Sequence, residues 1–291
     1  MLGLELLDHG ALAVSVDESG RVVARGQSAG KDLAAAAMAA LEKVWSAPAA
    51  PAVTAINPES PAWVAVMEAL SERFRGSLRG ELPVASGTAA ATAEAWIGAA
   101  RGATDVVFLA VGDHTSAGIL RKGAPMTGAH RRAPAVAWLA LNPVEREDYR
   151  KIGCLEVEVA APGIVRRLIW RVKAGDHSRV LDAVGGNFAA VSIEHVFAGA
   201  REGDGVAISV MRDTAKYLGM AAANLVAIAD PEVLVLGGMM ASAPDLLLEP
   251  VRVEIGRRLP NLMRQALTVV PASLGEDAPA IGAARLAAAA P

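Results

Sequence analysis

The side chains able to do chemistry stand at the ends of two short apolar runs. Pro83-Val84 closes the first, and Ala85-Ser86-Gly87-Thr88 follows it. Val106 to Val111 is the second, followed by Gly112-Asp113-His114-Thr115-Ser116-Ala117-Gly118. Ser86 has a nucleophile's hydroxyl, but no His or Asp lies near it in sequence to take its proton. A serine just before a helix is ordinarily a cap or turn residue. Asp113 and His114 have the composition of an acid–base pair, although a solvated loop histidine is the plainer reading. His130-Arg131-Arg132 is a basic cluster able to hold an anion. Cys154 reads as a small buried residue, since one thiol cannot make a structural zinc site with its four ligands. Glu156 is a carboxylate that could bind a ligand or simply sit on a helix or loop. Gly237-Gly238, after Val233 to Leu236, permits close backbone approach, either to a ligand or in a tight turn.

The elements that position these groups read as an α/β chain. Leu2 to Val16 and Arg21 to Gln27 form an opening hairpin around the turn Asp17 to Gly20, with a further turn at Leu7-Asp8-His9-Gly10. Asp32 caps a helix running to about Trp45, and Ser46 to Pro51 breaks it. Ala52 to Ile56 reads as a strand, Asn57 to Pro61 as a turn and Ala62 to Phe74 as a helix. Leu82 to Ala85 is a strand end and Ala89 to Arg101 a helix of small residues. Gly112 to Gly118 reads as a loop, Val136 to Leu141 as a strand, Asn142 to Lys151 as a charged loop and Gly153 to Ala161 as a short mixed segment. Ile164 to Ala174 fits a helix or an amphipathic strand. Ser192 caps Ile193 to Gly199, and Val206 to Ile228 is a long helix with Met211, Ala215, Leu218, Ala222, Leu225 and Val226 on one face. Val233 to Leu236 and Leu267 to Pro271 are strands, and Leu246 to Leu259 and Ala280 to Ala289 are helices. In α/β proteins ligands sit beyond the carboxyl ends of strands, which directs attention to Ser86 and Gly112.

Size and composition bound the function. The 291 residues suffice for two domains, and a 53% apolar, 4% aromatic composition implies a core of Ala, Val and Leu. Net charge is -3 with both signs interspersed, so nucleic acid is not an expected partner. A single cysteine excludes an internal disulfide and fits a reducing cytoplasm. No apolar run reaches the roughly 18 residues of a membrane span, and no signal peptide is evident. A soluble cytoplasmic protein is expected.

Several stretches carry a family resemblance. SIEHVFAGAREGDGVAISVMRDTAKYLGMAAANLVAIADPEVLVLGG and PASLGEDAPAIGAARLA closely resemble the ROK family (repressor, open reading frame, kinase). AEAWIGAARGATDVVFLAVG, Gly128-Ala129-His130, Gly153-Cys154-Leu155-Glu156 and VDESGRVVAR are similar to the same family. The resemblance covers almost the whole chain. It implies an actin/hexokinase-like (ribonuclease H-like) α/β fold with a central cleft. The expected domains are 1–102 with the terminal helix 280–291, and 103–279. No helix-turn-helix precedes residue 1, so the repressor branch is not expected.

The resemblance also implies site residues, and most positions are altered. The family's general base, an Asp, falls at Ser86, with Ala85 before it; a serine hydroxyl is not basic at neutral pH. The first phosphate loop falls at Glu5 to Gly10, with Leu7 and Asp8 in place of glycines. The second falls at Gly112 to Gly118, where Asp113 brings negative charge. A sugar-binding Glu and a zinc-binding His fall at Ala135 and Trp138. Two zinc cysteines fall at Glu147 and Tyr149, leaving Cys154. Glu156 alone persists from the sugar-contacting set; the region between Ile56 and Leu82 is short and lacks the glycines that shape the family's sugar pocket, and Asn57 and Trp63 are read as remnants of the family's segment there. Gly112, Gly237 and Gly238 are the expected nucleotide-side backbone positions. The reading is therefore a sugar-kinase homologue with impaired catalysis and a binding or assembly role. The alternative is an ATP-dependent kinase of a hexose or N-acetylated hexosamine with displaced catalytic groups. ATP and magnesium are expected only in that case, zinc in neither. A homodimer and a sugar or sugar-phosphate ligand are expected by resemblance.

Overall fold

The computed structural model describes residues 1–44, 50–58, 60–74 and 83–289. In chain order the strands and helices are β1 (Leu2–Leu7), β2 (Gly10–Val16), β3 (Val22–Ala29), α1 (Leu33–Glu42), β4 (Ala52–Ala55), α2 (Trp63–Arg73), β5 (Val84–Ala85) and α3 (Ser86–Trp96). Next come β6 (Val106–Val111), β7 (Thr115–Arg121), β8 (Ala124–Pro125), α4 (Glu147–Ile152), α5 (Cys154–Val159), α6 (Ala161–Lys173), α7 (Arg179–Ala183), α8 (Ile193–Arg201) and α9 (Gly205–Ala229). The chain ends with β9 (Val233–Gly238), α10 (Met239–Ser242), α11 (Glu249–Arg258), α12 (Asn261–Ala266), β10 (Thr268–Pro271) and α13 (Ala278–Ala289). The strands form two five-stranded sheets, ordered β3-β2-β1-β4-β5 and β10-β9-β6-β7-β8.

Contacts divide the chain into two units. The first comprises Met1–Phe108, Ala117–Pro134 and Ala272–Pro291; the second comprises Leu109–Ser116 and Ala135–Pro271. In the first unit β1, β2 and β3 are antiparallel, whereas β1 pairs in parallel with β4 and β4 with β5. The register sets Glu5 opposite Thr54 and Thr54 opposite Val84, so the carboxyl ends of the three parallel strands align. Leu4, Leu6, Leu41 and Leu70 fill the core against one face. The terminal helix α13 packs on the same unit through glycines. A Cβ on Gly3 would meet the Ala280 carbonyl, and one on Gly282 the Ala89 carbonyl.

The second unit is built on α9. Asp204 caps it by accepting from the Ala207 amide at 2.7 Å, and Val210, Leu218, Ala222 and Val226 are buried along it. Ser192 caps α8 in a box closed by His195. Asp230 ends α9 in a left-handed conformation, φ 45°, and β9 follows.

Several expectations are corrected. Helix α3 begins at Ser86 rather than Ala89 and ends at Trp96, because the segment after it folds into turns around Glu94. The segment Gly112 to Gly118 is a three-residue turn that enters strand β7 at Thr115. Val136 to Leu141 is not a strand; Val136–Trp138 is a single 3-10 turn. The charged loop contains α4, with Glu147 and Asp148 in its first turn and Arg150 and Lys151 in its last, a distribution that complements the helix dipole. Gly153 to Ala161 holds α5, which Gly153 separates from α4 with φ 97°. The Ile164 to Ala174 ambiguity resolves as helix α6. The readings at Trp45, Ser46 to Ala49, Glu59 and Leu82 lie outside the described residues.

Candidate functional site

Two of the compared positions, Ser86 in the first unit and Glu156 in the second, are each bonded to residues distant in sequence. In the first, Glu5 near the carboxyl end of β1 meets Ser86 at the start of α3. The Ser86 hydroxyl donates to Glu5 Oε1 at 2.8 Å, and both residues are buried. Ser86 therefore makes no cap bond; the expectation of a capping serine is replaced by a side-chain bond to an acid 81 residues away. Burial pushes the Glu5 carboxyl up to about 7; the Ser86 bond opposes that rise, while Glu276 and Asp277 add to it. A carboxyl with few donors in a low-dielectric strand favours its neutral form.

Asp8 and His9 connect β1 to β2, closed by the Leu7–Gly10 pair. Neither Asp8 nor His9 has a positive φ. Asn57 follows β4, and its carbonyl accepts from the Trp63 indole at 2.8 Å. The two residues read as remnants are thus held together, with Trp63 buried and Asn57 exposed.

In the second unit Glu156, on α5, gathers the turn after β6. Its Oε1 lies 2.7 Å from His114 Nδ1, and its Oε2 accepts from the Thr115 amide at 2.6 Å and the Thr115 hydroxyl at 2.5 Å. His114 is therefore neither a free loop histidine nor, in any bond observed, a partner of Asp113. The Gly112 amide donates to the His114 carbonyl at 2.8 Å, and the Gly112 carbonyl accepts from Ala161 at 2.9 Å. A phosphate-binding loop works by aiming amides at the anion. Here the Gly112 and Thr115 amides are engaged by the protein, and the exposed Asp113 lies between these two residues in sequence. Gly237 is buried; Gly238, φ 61°, brings β9 against β6, and a Cβ there would strike the Val111 carbonyl. That close approach is between protein backbones.

The positions compared above with zinc ligands carry other chemistry. Tyr149 donates its hydroxyl to Glu158 and accepts from Asn142 Nδ2 at 3.1 Å. Arg146 pairs with Glu158 at 3.0 Å and lies over the Tyr149 ring. Burial, then the Glu158 contact, pushes the Tyr149 phenol upward. Cys154 is buried, and Trp138 is 54% exposed. Among the described residues no group of three or more His, Cys, Asp or Glu side chains could hold a metal ion.

Two structural carboxylates escaped sequence reasoning. Glu158 anchors the Tyr149 cluster. Glu94, fully buried, accepts from the Ala99, Ser273 and Leu274 amides at 2.7, 2.9 and 3.0 Å and from the Ser273 hydroxyl at 3.0 Å. A visible signal existed for Glu5: one acid inside an otherwise apolar strand, LGLELL.

Comparison with known proteins agrees with this architecture. The sequence profile of the ROK family matches residues 20–290. A glucokinase of Halalkalibacterium halodurans is 32% identical over 197 residues, 66% of this chain and 59% of that protein. A glucokinase of Thermotoga maritima is 27% identical over 194 residues, covering 66% and 61%. The N-acetylglucosamine repressor of Escherichia coli O157:H7 is 28% identical over 220 residues, covering 75% and 52%. The matched region thus spans about three fifths or less of each relative's length. Among solved structures, a ROK family glucokinase from Streptomyces griseus in complex with glucose and AMPPNP superposes with TM-score 0.80 at 22% identity, covering 98% of each chain. A ROK hexokinase from Thermus thermophilus gives 0.73 at 23% identity, covering 98% and 97%. At these identities the likeness speaks for the fold, which is α/β and actin/hexokinase-like. No helix among the described residues is long and apolar enough to cross a membrane.

Proposed function

We propose, because the chain belongs to the ROK family, that it is a sugar-kinase homologue whose site serves binding or assembly rather than phosphoryl transfer. One observation carries this reading: Glu156 has both oxygens committed to His114 and Thr115. A carboxylate so engaged is a strut for the turn and has no oxygen left without a protein donor. The engaged Gly112 amide and the non-basic Ser86 point the same way. Loss of one general base would slow transfer by about 10²–10⁴-fold. Loss of the base together with the phosphate cradle removes the positioning on which phosphoryl transfer depends. A second copy of the chain and a sugar or sugar phosphate are the partners in this reading. Nucleic acid and membrane are not among them, and the setting is cytoplasmic.

The test is direct. The protein is incubated with ATP, magnesium and a panel of hexoses and N-acetylated hexosamines, and ADP release is followed. None is expected, nor any shift in melting temperature at millimolar ATP. A ligand at 100 times its Kd would stabilise by about 2.7 kcal/mol, so tight binding would be plain. Sugar-dependent ADP release overturns the reading.

The Glu5–Ser86 contact favours a second reading. A carboxyl held near neutral pKa beside the altered base position has a general base's properties. In that case Glu5 takes the proton of the attacking hydroxyl, and activity would disappear in Glu5→Gln.

A further inference from the structure

In the second unit α5, α6, α9 and the segment before α5 meet around a buried carboxylate, Glu158. Its Oε1 accepts from the Tyr149 hydroxyl and from Arg146 Nη1 at 3.0 Å, and its Oε2 faces Arg167 Nε at 3.7 Å. Asn142 Nδ2 donates to the Tyr149 and Tyr217 hydroxyls, each at 3.1 Å, and Arg167 donates to the Thr214 hydroxyl, so α9 is held twice. Asp148 pairs with Arg146 at 2.6 Å and with Arg166 at 3.5 Å, and both guanidinium groups lie over the Trp170 ring.

This is the region where the family resemblance implies a zinc ion, and the residues present do not fit one. Structural zinc takes four thiolate, imidazole or carboxylate ligands. Of the compared positions, Tyr149 commits its hydroxyl to Glu158, and Glu147 is exposed and paired with Lys151 at 2.7 Å. Trp138 carries only an N–H donor, and Cys154 is the chain's one thiol. The charges argue the same way. Arg146, Arg166 and Arg167 face Asp148 and Glu158, so cations already outnumber anions. Of the buried cluster atoms without a hydrogen-bond partner among the described residues, Arg166 Nε and Arg167 Nε are donors and Asp148 Oδ1 is the one acceptor. The cluster is short of negative charge, and a dication would meet guanidinium groups that repel it.

We propose that the Glu158 cluster replaces the metal as the clamp of this region, tying residues 142–149 and α5 to α6 and α9 and thereby fixing Glu156 against the Gly112–Thr115 turn. Glu156 and Glu158 are two residues apart on one helix, roughly 200° around its axis. One acid anchors α5 on the cluster side while the other grips the turn. Removing one partner from a buried ion pair leaves a desolvated charge unmatched, a far larger loss than at an exposed pair.

Thermal melting and amide exchange of the full chain test it. Excess chelator or added zinc should leave the melting temperature unchanged, and metal analysis after dialysis against chelator should find no retained zinc. Glu158→Gln should lower the melting temperature by roughly 10 °C and speed exchange of the Thr115 amide, across α5, by about tenfold. Tyr149→Phe, a milder change, should move both readouts in the same direction by less. Glu147→Gln, at the exposed compared position, should move neither. A chelator-induced fall in melting temperature, one zinc retained per chain, or Thr115 exchange indifferent to both Glu158→Gln and Tyr149→Phe overturns the proposal. An active kinase would instead overturn the reading of the site and leave this clamp standing.

Discussion

Glu5 on β1 in the first unit and Glu156 on α5 in the second are both carboxylates bonded to a residue at the start of another element, yet their surroundings are opposite. Glu5 is buried in an apolar strand, and its observed partner is one serine hydroxyl. Glu156 receives an amide, a hydroxyl and an imidazole. The first environment withholds donors and leaves a carboxyl that resists ionisation; the second saturates the anion and makes it a local tether. The contrast teaches that the kind and number of donors, not the presence of an acid, decides what a carboxylate in this fold can do.

The largest effect that would test the contrast is pH dependence. The Glu5 carboxyl titrates near 4.5 when unfolded and about 7 when folded. Between those values the unfolded chain releases a proton the folded chain keeps. Stability attributable to Glu5 is therefore greatest below pH 4.5 and falls as pH rises to about 7. The difference is about 3 kcal/mol, from 1.36 kcal/mol per pKa unit. Glu5→Gln should flatten this slope in urea titrations and stabilise the protein at pH 8. An unchanged slope would mean that Glu5 is solvated like any surface acid.

Glu156→Ala comes next, at about 2 kcal/mol, because it leaves the Thr115 amide and hydroxyl without their acceptor. Glu156→Gln keeps an acceptor and should lose about 1 kcal/mol. Chemical denaturation measures both, and a neutral Glu156→Ala would remove the tether argument. His114→Ala, deleting one of three contacts, should lose about 1 kcal/mol and raise amide exchange at Thr115. The smallest effect is Ser86→Ala, about 1 kcal/mol at low pH. Since the Ser86 bond holds the Glu5 pKa down, its loss should carry the pH-dependent fall above pH 7.

The parts that the sequence disclosed were those with local causes. The α9 stripe from Met211 to Val226 has helical period, and Asp32, Ser192 and Asp204 each cap within three residues. Strand β9 is a plain apolar run before a glycine pair. The failures have distant causes. Ser86 resembled a cap because nothing nearby in sequence indicated Glu5. His114 resembled a loop residue because Glu156 lies 42 positions on. The α4 and α5 segments were obscured by their charges and by the turn at Gly153, where a Cβ would strike the Ala137 carbonyl.

The return of α13 to the first unit also sets an order of assembly. Its glycine contacts with Gly3 and Ala89 complete the first sheet's packing from residues near the end of the chain. During synthesis, β1 through α3 leave the ribosome with that surface uncovered, while everything the second unit needs, through Pro271, emerges before α13. The newborn chain can thus finish its middle before its beginning. A stop codon that removes only α13 would damage the part of the protein made first.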